Sequence, residues 1–348
     1  MNHTYLVTGS YSNAEEQGIK LWEFNHQSGS LTEIAGTFGI DRPSFLAIHP
    51  NGKSFAATSE VGDGDLVAYE FMEEPLGLKE INRQPANGDH PAHVCIDHSG
   101  KWLLSANYSG GNVNVYPIAE DGSIGERTDS IKHEGSGPNA ERQDAPHPHS
   151  VFQIPQDARF IVSDLGTDML YIYKLDQEAG KLELEQSIEA PPGSGPRHLT
   201  FHPSSGHIYS LEEITSSLTV YEWNDAGSLN AIQRVSLLPD GFEGKNTSAE
   251  VRVSADGRYL YASNRGDDSL AVFAIGEDGK LELTGFSPSG GEGPRHFELI
   301  SGGQWMIAAN ERSHNLAVLK IGKNGMPEFA GEIAKTKAPV CVKSIGGR

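Results

Sequence analysis

Three groups of polar residues have the types and spacing to do chemistry. The first is HEGSGPNAERQDAPHPHS, residues 133–150, which gathers His133, Glu134, Arg142, His147 and His149 among prolines. An imidazole serves near neutral pH as a general base or as a phosphate ligand. The alternative is a proline-stiffened surface loop with solvated histidines. The second group is a near-duplicate pair, GSGPRHLTFH (residues 193–202) and GEGPRHFELI (residues 291–300). Each sets an Arg beside a His, as in Arg197-His198, and Arg295 occupies the matching place. A guanidinium holds a phosphate or carboxylate with two parallel hydrogen bonds. The alternative is a salt bridge repeated for structural reasons.

The third group falls where apolar stretches end: Glu60, Asn107, Tyr108, Asp164, Glu212, Glu213, Asn264, Arg265, Asn310 and Glu311. Amides and acids there can simply satisfy backbone groups between neighbouring segments. Glu213 and Arg265 break that pattern by adding a longer charged group. No GxSxG elbow, P-loop or HExxH motif is present. No spacing demands a metal, and none is expected.

The elements that must position these residues follow from an internal repeat. A Pro, an alternating apolar strand, a turn and a second apolar strand recur as PSFLAIHPNGKSFAATSE from Pro43 and PAHVCIDHSGKWLLSANY from Pro91. They return from Pro148, Pro196, Ala249 (without its proline) and Pro294, and a last copy, PVCVKSI from Pro339, is cut short. The spacing runs from 45 residues (Pro294 to Pro339) to 57 (Pro91 to Pro148), and the 133–150 segment accounts for the longest. Such periods suit one four-stranded propeller blade per repeat. Third strands such as NVNVYPI and SLTVYEWN and fourth strands such as GKLELEQSIEA alternate with period two, the mark of half-buried strands.

The strands missing from the last copy lie at the other end of the chain, in TYLVTGSY, GIKLWEFN and LTEIAGTFG. PVCVKSI is therefore expected as the innermost strand of a blade completed by the N-terminus, which closes the ring and removes exposed edges. The prediction is an all-β, seven-bladed β-propeller forming a single domain over residues 1–348. An open solenoid is the alternative, and it would want capping repeats at both ends.

Composition limits the partners. The chain carries 47 acids against 27 bases, a formal charge of −20. That field disfavours nucleic acid and anionic membranes, and a small anionic substrate would need a local basic pocket. Cys95 and Cys341 lie in apolar strand patterns and read as buried free thiols. MNHTYLVTGSYSN has neither a basic stretch nor a long apolar run. No segment approaches the ~20 apolar residues of a membrane span. The expected protein is cytoplasmic, and a monomer or weak homodimer.

ANYSGGNVNVYPI, HEGSGPNAERQDAPHPHS, PGSGPRHLTFHP, AEVRVSADGRYLYASNRGDDSLAVF and GGEGPRHFELI together resemble the propeller-type 6-phosphogluconolactonases, a family that includes carboxy-cis,cis-muconate cyclases. The likeness runs nearly the whole chain and keeps the order of blades. It implies hydrolysis of 6-phospho-D-glucono-1,5-lactone to 6-phosphogluconate, a step of the oxidative pentose phosphate pathway, without a cofactor. It also implies functional residues: His149 in PHPHS, Arg197 in GPRH, Glu213 at a strand end and Arg265 in SNRG. The family's Asn-Glu is Glu212-Glu213 here, so either carboxylate can be the one that faces the channel.

In this reading His149 or Glu213 takes a proton from water, and Arg197 or Arg265 stabilises the oxyanion. The remaining Arg binds the phosphate with His198 or Arg295, and His147, Asn107 and Asn264 complete the binding site. The alternatives are a lactonase or cycloisomerase for another sugar or muconate lactone, and a non-catalytic propeller that binds a protein.

Overall fold

The structure, a computed structural model, describes residues 2–224 and 227–345. They form seven four-stranded antiparallel sheets arranged as the blades of a ring. Blade 1 runs from Leu46–Ile48 to Leu76–Pro85, blade 2 from Pro91–Ile96 to Asp129–Lys132, and blade 3 from Pro148–Gln153 to Lys181–Glu189. Blade 4 runs from Pro196–Phe201 to Leu229–Ser236, blade 5 from Thr247–Val253 to Leu281–Pro288, and blade 6 from Pro294–Ile300 to Pro327–Lys335. In blade 7 the C-terminal strand Pro339–Ser344 is innermost, followed by His3–Ser10, Ile19–Asn25 and Leu31–Thr37. Both chain ends thus complete one blade, with Val7 opposite Lys343 and Thr8 opposite Val342. Among the described residues the helical content is one 3-10 turn, Ser301–Gly303, and no helix is long and apolar enough to cross a membrane.

Burial explains the two sequence textures. Second strands such as Trp102–Asn107 are buried throughout, because a blade presses on each face. Fourth strands such as Lys181–Glu189 alternate, because their outer face meets solvent. The apolar layers between blades make the core: Trp22 and Phe24 of blade 7 pack on Ile307 and Val318 of blade 6. Aromatic polar atoms stitch neighbouring blades together. Tyr209 Oη donates to Gly279 O (3.0 Å) and Tyr261 Oη to Gly325 O (3.0 Å), each reaching the next blade's last turn. Gly325 has φ +80°, and a Cβ there would lie 2.5 Å from the Tyr259 ring, so the turn needs glycine.

One irregularity positions the site. At the start of most inner strands the register slips by one residue. Pro148 faces Asp164 but Ser150 faces Ser163, and Pro196 faces Glu212 but His198 faces Leu211. Blades 2 and 6 repeat the slip at Pro91/His93 and Pro294/His296. The proline fits because it opens the strand, where no donor is needed. The extra residue is Ala92, His149, Arg197 or Arg295. A β-bulge leaves its extra residue unpaired and re-aims its side chain. All four line cavities on the ring axis. Blade 5 has no proline, and its inner strand starts at Thr247, two residues before the repeat's Ala249.

Candidate active site

A pocket of about 300 Å³ opens at the channel mouth. Two stacked rings build it. The upper ring comes from the ends of the second strands and the residues just beyond them: Glu60, Tyr108, Glu213 and Arg265, with Tyr11 and Glu311 alongside. The lower ring is the bulged residue, which supplies Ala92, His149 and Arg295 to the pocket. Arg142 reaches in from the 133–150 loop.

Glu213 is the hub. Its Oε2 accepts from Arg197 Nε (2.8 Å) and lies 2.9 Å from Arg265 Nη2, while Oε1 accepts from Arg142 Nη2 (2.5 Å). His149 Nε2 stands 3.9 Å from Oε2. Arg197 also donates to Ala249 O (2.6 Å), and Arg265 to Thr247 O and Ser248 O. Opposite, Arg295 Nη2 donates to Tyr11 Oη (2.6 Å), which donates in turn to Glu60 (3.0 Å). Arg42 stacks on the Tyr11 ring, 4.0 Å from its centroid.

The electrostatics follow from crowding. Burial alone would raise the Glu213 carboxyl, but Arg265, Arg197, His149 and Arg142 outweigh it and hold it well below the usual carboxylate range. Burial and then Arg265 push Arg197 down to about 9, so it remains a cation at neutral pH. Burial, followed by Arg197, drives the His149 imidazole well below its ordinary value, so it is neutral near pH 7. The Arg142, Arg197 and Arg265 cations share one carboxylate, so this end of the pocket is locally positive in a strongly acidic protein.

The structure brings His149, Arg197, Glu213 and Arg265 together and separates several other candidates from them. Glu213 faces the channel, whereas Glu212 is enclosed and accepts from Ser217, Thr219 and Arg234. Asn107 and Asn264 share the Glu212 register position. They are fully buried and bond backbone instead, Asn264 donating to Leu237 O at 2.6 Å. His147 stacks on Tyr108 (4.4 Å between centroids) and donates to its carbonyl, buttressing the pocket wall from behind. His198 lies one layer deeper than the pocket, bonded to Glu250. Arg295 lines it.

Glu60 and Tyr108, which the sequence marks at the ends of apolar stretches, complete the mouth together with Tyr11, which it does not mark. The signal that finds Tyr11 is positional: it directly follows its blade's second strand, as Glu213 does. Among the described residues no group of three or more His, Cys, Asp or Glu is placed to hold a metal ion.

A propeller with a guanidinium-lined channel mouth over a buried imidazole has an enzyme-like site. The chain belongs to the lactonase family of seven-bladed β-propellers, whose pattern it matches over residues 5–344. It is 34% identical over 292 residues to the 6-phosphogluconolactonase of Bacillus subtilis, covering 83% of each chain. It is 32% identical over 308 residues to the 6-phosphogluconolactonase of Formosa agariphila, covering 84% of this chain and 86% of that one. Among solved structures it resembles the periplasmic gluconolactonase of Pseudomonas aeruginosa, with TM-score 0.92, 28% identity, and coverage of 98% of this chain and 99% of that one.

Proposed function

We propose that this protein hydrolyses 6-phospho-D-glucono-1,5-lactone to 6-phosphogluconate. The observation that carries the reading is the convergence of Arg142, Arg265 and Arg295 on one pocket above His149, in a chain of net charge −20. A dianionic sugar phosphate is drawn only to such a local reversal of sign. Arg142 and Arg295 hold the phosphate, and Arg197 and Arg265 face the oxyanion that forms at C1.

Glu213 keeps these guanidiniums in register. It is a poor proton acceptor, because its charged form is held by three of them. The acceptor is therefore an imidazole beneath the guanidiniums, at or below the pocket floor. A δ-lactone is reactive, so positioning a water and stabilising one oxyanion supply the needed acceleration.

The likeness to a gluconolactonase favours a second reading, in which the unphosphorylated lactone is the substrate. One assay separates the two. Purified protein is given each lactone, and hydrolysis is measured above the spontaneous rate. A strong preference in kcat/KM for the phosphorylated lactone is expected. A preference for gluconolactone would select the second reading, and no acceleration of either would overturn both.

A further inference from the structure

Below the pocket lies a second cavity of about 10 Å³, room for one water molecule. It shares Glu60, Ala92, His149 and Arg295 with the pocket above, so the two are stacked along the channel. Two of its wall residues carry a buried nitrogen with no hydrogen-bond partner among the described residues: His149 Nδ1 and His198 Nε2. Leaving a buried polar atom unsatisfied is costly, so two on one small cavity call for a ligand.

The tautomers follow from the neighbours. His198 Nδ1 lies 3.0 Å from Glu250 Oε2. An ionised carboxylate only accepts, so Nδ1 carries the hydrogen and Nε2 presents a lone pair. Burial opposes ionisation of Glu250, but Arg252, His296 and Lys343 outweigh it and hold its carboxyl below the ordinary value. His149 turns Nε2 toward Glu213, which leaves the lone pair on Nδ1. A water between two lone pairs donates both hydrogens and has its own lone pairs free for the pocket above.

We propose that this cavity holds the hydrolytic water and that His198, backed by Glu250, is the base that takes its proton. The proposal rests on the lactonase reading given above. Glu250 accepts from His198 as an orienting carboxylate does behind a catalytic imidazole, and it stabilises the imidazolium that forms. His149 lacks that support: its carboxylate is 3.9 Å away and already engaged by three guanidiniums. His149 therefore positions the water.

In the first step the water oxygen bonds to C1 and an O–H proton passes to His198 Nε2. The carbonyl π pair moves onto the oxygen beside Arg197. In the second step the C1–O bond to the ring oxygen breaks. That oxygen leaves with the proton from His198 and becomes a hydroxyl, and C1 is left as a carboxylic acid that ionises in solvent.

His198 is faced by His93 from blade 2, His149 from blade 3, Glu250 and Arg252 from blade 5 and His296 from blade 6. Arg197 beside it, Arg295 and Lys343 add positive charge. Burial first, then these cations, hold the imidazole well below its ordinary value, so the free base is available at neutral pH.

The test uses His198→Gln and Glu250→Gln, measured with Arg265→Ala and the unaltered protein after subtraction of spontaneous hydrolysis. His198→Gln is expected to lower kcat by about 10²-fold or more while KM changes little. Glu250→Gln keeps an acceptor for Nδ1–H but removes the charge that favours the imidazolium. It should lower kcat and move the acid limb of the kcat–pH profile to lower pH, a shift that a purely structural pair would not produce. If His198→Gln fails to fold, the Glu250→Gln profile decides alone. Unaltered turnover in His198→Gln, or an unmoved limb in Glu250→Gln, overturns the proposal. If Arg265→Ala is impaired while His198→Gln is intact, only this proposal falls. If the unaltered protein does not accelerate lactone opening, the lactonase reading itself falls.

Discussion

A carboxylate that already serves three guanidiniums leaves each of them short of negative charge, and that shortage is what an incoming anion relieves. Arg142 shows it best. Its side chain is about one-third exposed, so it can turn from Glu213 toward a ligand at the rim. Arg142→Ala should raise KM for the phosphorylated lactone by about tenfold or more, the scale of one charge-assisted hydrogen bond, with a smaller change in kcat. Steady-state kinetics on both lactones checks it, and an equal effect on the unphosphorylated lactone would contradict a phosphate contact. Glu213→Gln removes the shared counter-charge while keeping the shape. Breaking a buried pair costs about 3–5 kcal/mol, so a lower urea midpoint and impaired turnover are expected together. Much of this residue-scale picture was legible in the sequence, because PHPHS and GPRH place charged groups at repeated positions. Tyr11 was not, since an uncharged tyrosine at the end of TYLVTGSY gives no sign that it bridges Arg295 and Glu60. The depth of His198 was not legible either, since adjacent residues of one bulged strand fall in different layers of the channel.

At the scale of elements, the bulge at each inner strand's start and the 133–150 loop decide what reaches the channel. Period-two alternation reveals the strands but not the bulges, because a bulge is one residue counted against a partner strand and leaves the apolar pattern nearly unchanged. The loop is fixed by Asp164, whose Oδ1 accepts from the backbone N–H groups of His147, Gly166 and Thr167. Its other oxygen meets buried His133 Nδ1 at 2.6 Å. Gly166 lets the loop approach this closely, since a Cβ there would sit 1.9 Å from Ala145 O and 2.6 Å from His147 N. Backbone atoms cannot yield as a side-chain tip would. Gly166→Ala should therefore destabilise the protein by about 1–3 kcal/mol, the usual cost of overpacking. It should also raise KM through Arg142, which the same loop carries. Urea unfolding and kinetics on one preparation test both effects. A loss of stability with unchanged KM would show that the loop's seat and the site are independent.

The whole molecule depends on a closed ring around a buried, partly ionised axis. Closure rests on Pro339–Ser344, where Val340, Cys341 and Val342 are almost wholly buried. A chain ending at Ala338 would expose the His3–Ser10 edge and should be aggregated or unfolded in size-exclusion chromatography and far-UV circular dichroism. The axis imposes a pH limit on the ring. His93, His149, His198 and His296 are all held well below their ordinary value, in each case first by burial. In the unfolded chain the same groups take a proton near pH 6.5. Above that pH both states are neutral at these positions, and the stability is fully present. As pH falls below it the unfolded chain binds protons that the folded one refuses, so the unfolding free energy drops. The slope is about 1.4 kcal/mol per pH unit for each histidine fully engaged. Glu213 and Glu250, whose folded values are depressed, add to the loss in the same direction once pH falls below the ordinary Glu range near 4.5. The urea midpoint should therefore be lower at pH 5.5 than at pH 7.5. His93→Phe, which removes one of the four imidazoles without touching Glu250 or the pocket, should flatten that difference. A midpoint independent of pH across this range would mean that the axial histidines take protons as readily in the folded ring as in the unfolded chain, so that the lone pairs facing the lower cavity would be lost at pH 5.5.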